Sequence, residues 1–137
     1  MQASQDIKRS LAACFVIADE KYHVIGYYTL SNDSLSRYEI PEEHQKKVPQ
    51  NYNVPVTLLG RLARDISAKG TGIGEHLLLD ALNRCYNISV KGIGSMAVIV
   101  DPINENAIKF YSKYGFTLLP DSGKMFLSMK AISQLFK

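Results

Sequence analysis

Apolar and polar positions along the chain change rhythm several times, and each rhythm predicts a different element. Leu11 to Asp19 and Val24 to Ser31 are short apolar runs joined through Glu20, Lys21 and Tyr22, the pattern of a β-hairpin. From Asn32 to Asn53 the chain turns polar. There Pro41-Glu42-Glu43 puts proline and acidic residues where a short helix starts, with Lys46 and Lys47 at its end, and Pro49 and Pro55 punctuate a loop. Val56 to Asp65 reads as a third strand, whose internal Gly60 permits a bulge or a close backbone approach. Ile73, Leu77, Leu78, Ala81, Leu82 and Cys85 then recur at helical spacing, predicting a helix to about Asn87. Ser95 to Val100 is continuously apolar, as a strand buried on both faces is, and the intervening helix makes it parallel to the third strand. Asp101 and Pro102 break it, and Asn104 is placed to cap a second helix in which Ala107, Phe110, Tyr111 and Tyr114 share one face. Gly115 ends that helix, and Phe116 to Leu119 with Lys124 to Met129 form a closing antiparallel pair. Ser4 to Leu11 reads as the end of a helix and Ala131 to Lys137 as a short tail. Strands, then βαβα, then strands predict an α/β (α+β) fold with a mixed sheet.

Between the third strand and its helix lies Lys69-Gly70-Thr71-Gly72-Ile73-Gly74, with three alternating glycines. Without Cβ atoms, and with positive φ open to them, successive N–H groups there can converge on one anion, to which the following helix adds its partial positive charge. A turn used only for capping or packing is the plainer reading. No Gly-Lys-Ser/Thr follows to position a γ-phosphate and magnesium, so the turn suits a pyrophosphate rather than a nucleoside triphosphate.

Composition adds bounds. A chain of 137 residues, 46% hydrophobic and 21% charged, has the size and make-up of one soluble domain, taken as residues 1–137. Cys14 and Cys85 lie in apolar runs without metal-type spacing, and neither CxxC nor HExxH occurs, so no metal is expected. No apolar run approaches the roughly 18 residues of a membrane span, and Met1 to Ser10 is not signal-like, so a cytoplasmic protein is expected. A net charge of +3 suits a phosphate-rich cofactor or a nucleic acid.

These residues resemble the GNAT superfamily of acetyl-coenzyme A dependent N-acetyltransferases. Lys69 to Gly74 occupies the place of its Q/R-x-x-G-x-G/A signature, and Asn104, Ala107, Phe110, Tyr111, Gly115 and Phe116 match its N-x-x-A and F-Y-x-x-x-G-F pattern. The run Leu58 to Ala63, with Pro41-Glu42-Glu43, Lys47-Val48-Pro49 and Val54-Pro55-Val56, is further similar to the GNAT toxins of bacterial toxin and antitoxin pairs. That resemblance implies acetylation of the α-amino group of an aminoacyl-tRNA, a block of translation, a ribbon-helix-helix antitoxin as partner and a homodimer. It also implies a sheet splayed at the cofactor site with flanking helices. Two departures from the pattern stand out: Lys69 stands in place of Gln or Arg and Arg64 in place of a small apolar residue, and the family's first strand and most of two helices are expected to be missing before Ser4.

By the same resemblance, acetyl-CoA pairs its pantetheine arm with the backbone at Leu62, Ala63 and Arg64. Its pyrophosphate lies on Gly70, Thr71, Gly72, Ile73 and Gly74, with Lys69 as a further phosphate contact or a plain solvated lysine. Asn104 holds the arm or serves only as the helix cap, beside Ala107 and Phe110. Tyr111 is the implied proton donor to the departing sulfur, since a phenol of ordinary pKa about 10 stays protonated at neutral pH; a core aromatic is the other reading. Asp65, Asp101 and His76 fit turn, cap or surface roles better than that of a general base. An α-amine, pKa about 8, needs less help to lose its proton than a lysine amine near 10.4. Arg61, Arg84 and Lys91 are the candidates for contacting the tRNA backbone. An acetyltransferase for a small-molecule or protein amine, or a cofactor- or antitoxin-binding module with little activity, are the alternatives.

Overall fold

In the first hairpin Phe15 stands opposite Tyr28 and their rings stack at 5.3 Å between centroids, so one aromatic pair fixes register and buries the inner face. Residues 2–5, 12–64, 72–91 and 94–136 are described by the structure, a computed structural model. The hairpin strands are β2 (Ala12–Ala18) and β3 (Val24–Ser36). Asp19 closes their turn by accepting from the N–H groups of Lys21 at 2.8 Å and His23 at 2.9 Å.

β3 continues past the expected end at Ser31 to Ser36, because Asn32 to Ser36 pair with the start of β4 (Asn53–Arg64). The polar loop between them holds a 3-10 turn (Arg37–Glu39) and α1 (Glu42–Gln45), tied together by Arg37 Nε donating to the carbonyls of Gln45 and Val48. Then come α2 (Ile73–Lys91), β5 (Ala97–Val100), α3 (Glu105–Ser112), β6 (Thr117–Leu118) and β7 (Met125–Ser128). The crossover through α2 makes β5 parallel to β4, and every residue of β5 is buried, as its unbroken apolar run predicts.

Two further expectations are corrected. Ser4 lies in β1 (Gln2–Gln5), an antiparallel strand at the outer edge of the sheet, not in the end of a helix. Pairing with β2 supplies a partner that local sequence does not announce. The supposed C-terminal tail is instead α4 (Met129–Leu135), capped by Ser128 Oγ accepting from the Ala131 N–H at 3.1 Å and anchored by buried Ile132.

The strands run in the order β1-β2-β3-β4-β5-β7-β6, with β4 and β5 the parallel pair. Under α2, Tyr28, Leu30, Leu59, Leu77, Leu78, Leu82, Val98 and Val100 form one core layer; Leu35, Ile40, Val54, Val56, Ala97, Ile99 and Phe126 form the other. Gly26 lets α2 approach β3, since a Cβ there would lie 2.7 Å from Leu77 Cδ1 and 3.2 Å from the Ala63 carbonyl oxygen. Among the described residues no helix is long and apolar enough to cross a membrane.

Candidate functional site

β4 and β5 pair only from Thr57/Val98 to Leu59/Val100, after which β4 runs on for five residues beside β3 alone. The parting begins at a bulge. Thr29 pairs with Arg61 and Leu30 with Leu59, so Gly60 is the extra residue, and a Cβ on it would come within 2.8 Å of Thr29 Oγ1. Along Gly60 to Arg64, no described strand meets the edge facing β5. Backbone N–H and C=O groups on that edge have no partner strand among the described residues, the arrangement an extended ligand can pair with.

The opening is a cleft of about 460 Å³ lined by Gly60, Arg61, Leu62 and Ala63 of β4, by Gly74, by Tyr27, by Asp101 to Ile103, and by Asn106, Ala107, Phe110 and Tyr111 of α3. It thus lies at the carboxyl ends of the parallel pair, where ligands of α/β sheets bind. Gly72 has φ +80°, a left-handed conformation suited to glycine, and its carbonyl accepts from the His76 N–H at 3.0 Å in the first turn of α2. Lys69, Gly70, Thr71 and Asp65 lie outside the described residues.

Tyr111 is half-buried, its ring edge-to-face with Phe110 at 5.3 Å and with Phe116 at 5.4 Å. Burial alone pushes its phenol above the ordinary value, so it holds its proton across the neutral range. Its hydroxyl has no hydrogen-bond partner among the described residues. Tyr114, packed against Phe110, sits beside Glu75, whose carboxylate pairs with Lys113 at 3.1 Å and ties α3 to α2.

The remaining candidates separate. Asn104 caps α3, its Oδ1 accepting from the Ala107 N–H at 2.8 Å, and it is Asn106 that faces the cleft. Ile73 packs against the core under α2, and the backbone of Arg64 pairs with Gly26. Arg61 lines the cleft and is exposed. Arg84 lies elsewhere: Nε donates to the Tyr28 hydroxyl at 3.0 Å, the guanidinium sits 4.1 Å over the Phe15 ring, and Asp80 accepts from the same tyrosine. Lys91 is the last residue of α2. Cys85, on the buried face of α2, has its thiol pushed up to about 12 by desolvation.

Sequence reasoning did not assign Tyr27, Pro102, Ile103 or Asn106 to the site, and it gave Asp101 a turn. The available signal was topological: whatever follows β5 must stand at the mouth of a parallel pair. His76 and His44 do not line the cleft; His44 packs 5.4 Å from the Phe126 ring.

The "Acetyltransferase (GNAT) family" model matches residues 2–116. The tRNA-acetylating toxin of Mycobacterium tuberculosis is 36% identical over 118 residues, covering 85% of this chain and 69% of that protein. Among solved structures, AtaT complexed with acetyl-methionyl-tRNAfMet superposes with a TM-score of 0.84 at 31% identity, covering 95% of this chain and 78% of that one. A tyrosine-to-phenylalanine mutant of the AtaT toxin, bound to the C-terminus of the antitoxin AtaR and acetyl-CoA, gives 0.72 at 28%, covering 91% and 72%. With a parted β4/β5 pair, a left-handed Gly72 before α2 and a family match over most of its length, the chain belongs to the GNAT family of acetyltransferases.

Proposed function

We propose that the chain transfers the acetyl group of acetyl-CoA to the α-amino group of an aminoacyl-tRNA and so acts as a toxin of translation. The observation that carries this reading is the cleft, where Tyr111, kept protonated by burial, faces a strand edge left open beyond Leu59. Relatives named for tRNA acetylation, and a solved relative holding acetyl-methionyl-tRNAfMet, support the choice of acceptor.

The cleft fits acetyl-CoA. The edge at Leu62, Ala63 and Arg64 matches an extended arm bearing amides, which pairs as an added strand would. The sequence run Lys69 to Gly74 is the stretch assigned to the pyrophosphate, its described part being Gly72, in a left-handed conformation, and the first residues of α2. When bound, acetyl-CoA supplies an activated carbonyl and a thiolate leaving group. Ala107 and Phe110 wall the arm, Asn104 keeps α3 in place as its cap, and Tyr111 donates its proton to the departing sulfur. Arg61 at the mouth, with Lys91 at the end of α2, offers positive charge to the tRNA backbone; Arg84 is engaged in packing.

We further place the protein in the cytoplasm as one domain over residues 1–137, acting as a homodimer and held in check by a ribbon-helix-helix antitoxin. The solved relative bound to the C-terminus of its antitoxin supports an antitoxin as partner. Incubation with charged tRNA and labelled acetyl-CoA tests the reading. Label is expected on the aminoacyl end. Its absence from every charged tRNA, with label on a free amine or a lysine side chain instead, would overturn the acceptor.

A further inference from the structure

Asp101 is the one carboxylate among the described residues that line the cleft. It follows Val100 directly, on the β5 wall, while Arg61 stands on the β4 wall, so the two sides of the mouth carry opposite charges. Lys124 holds it from the turn before β7, with Nζ 3.0 Å from Oδ1 and 3.3 Å from Oδ2. An ionised carboxylate offers about four lone-pair positions and Lys124 uses one on each oxygen, so acceptor capacity remains. The Asp101 side chain is 57% exposed, open to an incoming group while fixed in direction by its partner.

An ion pair this exposed adds little to stability. Its placement at the mouth therefore calls for a chemical reason. When an amine attacks a thioester carbonyl, positive charge develops on nitrogen as the C–N bond forms, and a fixed carboxylate beside that nitrogen stabilises the transition state more than the ground state.

Resting on the acetyl-transfer reading above, we propose that Asp101 is a catalytic residue of this protein, accepting a hydrogen bond from the attacking amine and stabilising the positive charge that grows on it, with Lys124 as its positioning residue. The amine lone pair forms the C–N bond while the C–S bond breaks, and the sulfur leaves with the proton of Tyr111. The proton shed by nitrogen passes to water at the open mouth, and the phenol regains one from solvent. Asp101 keeps no proton. Arg61 on the facing wall suits an acceptor whose amine stands near an anionic phosphate, which is the arrangement at the aminoacyl end of a tRNA.

The test is steady-state acetylation of charged tRNA by the full chain and two variants. At pH values above the amine's rising limb, where the bound acceptor is a neutral amine, Asp101→Asn should lower kcat and kcat/KM together by about tenfold, with the KM for acetyl-CoA unchanged. The rising limb of kcat with pH, which reports loss of the amine's proton in the complex, should move to lower pH, because a carboxylate no longer favours the ammonium form. Lys124→Met keeps the carboxylate and removes only what fixes its direction, and should lower kcat by about threefold, well short of the Asp101→Asn loss. If Asp101→Asn matches the wild type, or if Lys124→Met reproduces its loss with the pH limb unmoved, the role of Asp101 is overturned. If the wild type labels no charged tRNA, it is the acceptor reading that fails.

Discussion

Tyr28 and Tyr111 carry the same phenol, and both are pushed to higher pKa, yet they do opposite things for the molecule. Tyr28 has no exposed surface, stacks on Phe15, donates to Asp80 and accepts from Arg84. Desolvation raises its pKa first, and the Asp80 carboxylate adds to that. Its hydrogen-bonding capacity is committed to joining the first hairpin to α2. Tyr111 owes its shift to desolvation alone and faces a cleft with its hydroxyl uncommitted among the described residues. Partners make a tyrosine structural; burial without partners leaves a proton that can be given away.

That contrast can be broken by mutation. Tyr111→Phe should lower kcat by about a hundredfold or more, the usual range for a lost general acid, while acetyl-CoA affinity by calorimetry and the denaturation midpoint hold. An unchanged kcat would return Tyr111 to the core with Tyr114. Tyr28→Phe should do the reverse. Asp80 loses its phenol donor and the protein loses about 1–3 kcal/mol in urea titration, with kcat nearly intact.

Alkaline pH sharpens the same distinction. The unfolded phenol ionises near pH 10, whereas folded Tyr28 and Tyr111 hold their protons to higher pH. The folded state therefore binds more protons above pH 10, and stability, fully present below that point, should fall as pH rises beyond it. Tyr28→Phe should flatten that fall in denaturant midpoints measured from pH 9 to 11. The smallest effect belongs to the bulge. Gly60→Ala forces a Cβ toward Thr29 Oγ1 and should weaken acetyl-CoA binding several-fold by calorimetry, with Thr29→Ala restoring part of the loss.

Much of this architecture could be read from spacing. Phe110, Tyr111 and Tyr114 fall on one face because the helix period puts them there, and Ser95 to Val100 had to be a central strand because nothing polar interrupts it. The misreadings share one cause. Gln2–Gln5 is a strand because β2 lies beside it, β3 runs through Asn32-Asp33-Ser34 because β4 extends to meet it, and α4 exists because Ile132 finds a core to enter. Each depends on a neighbour distant in sequence. The site divides the same way. Tyr111 stood in a motif, whereas Tyr27 and the pairing of Asp101 with Lys124 appear only once the strands are assembled.

The extra residue at Gly60 acts on β4 as a frameshift acts on a message. Leu59 and Leu62, three apart rather than two or four, both turn toward α2, so in-and-out parity is read in one frame before Gly60 and in the other after it. The first frame fills the core; the second sends Arg61 and Ala63 to the far side and leaves a strand edge for the cofactor. Deleting Gly60 would put Leu59 and Leu62 two apart, so both would still face α2 and Arg61 would still face away, while the bulge itself would disappear. The chain would gain a more regular strand and lose the place where its two reactants meet.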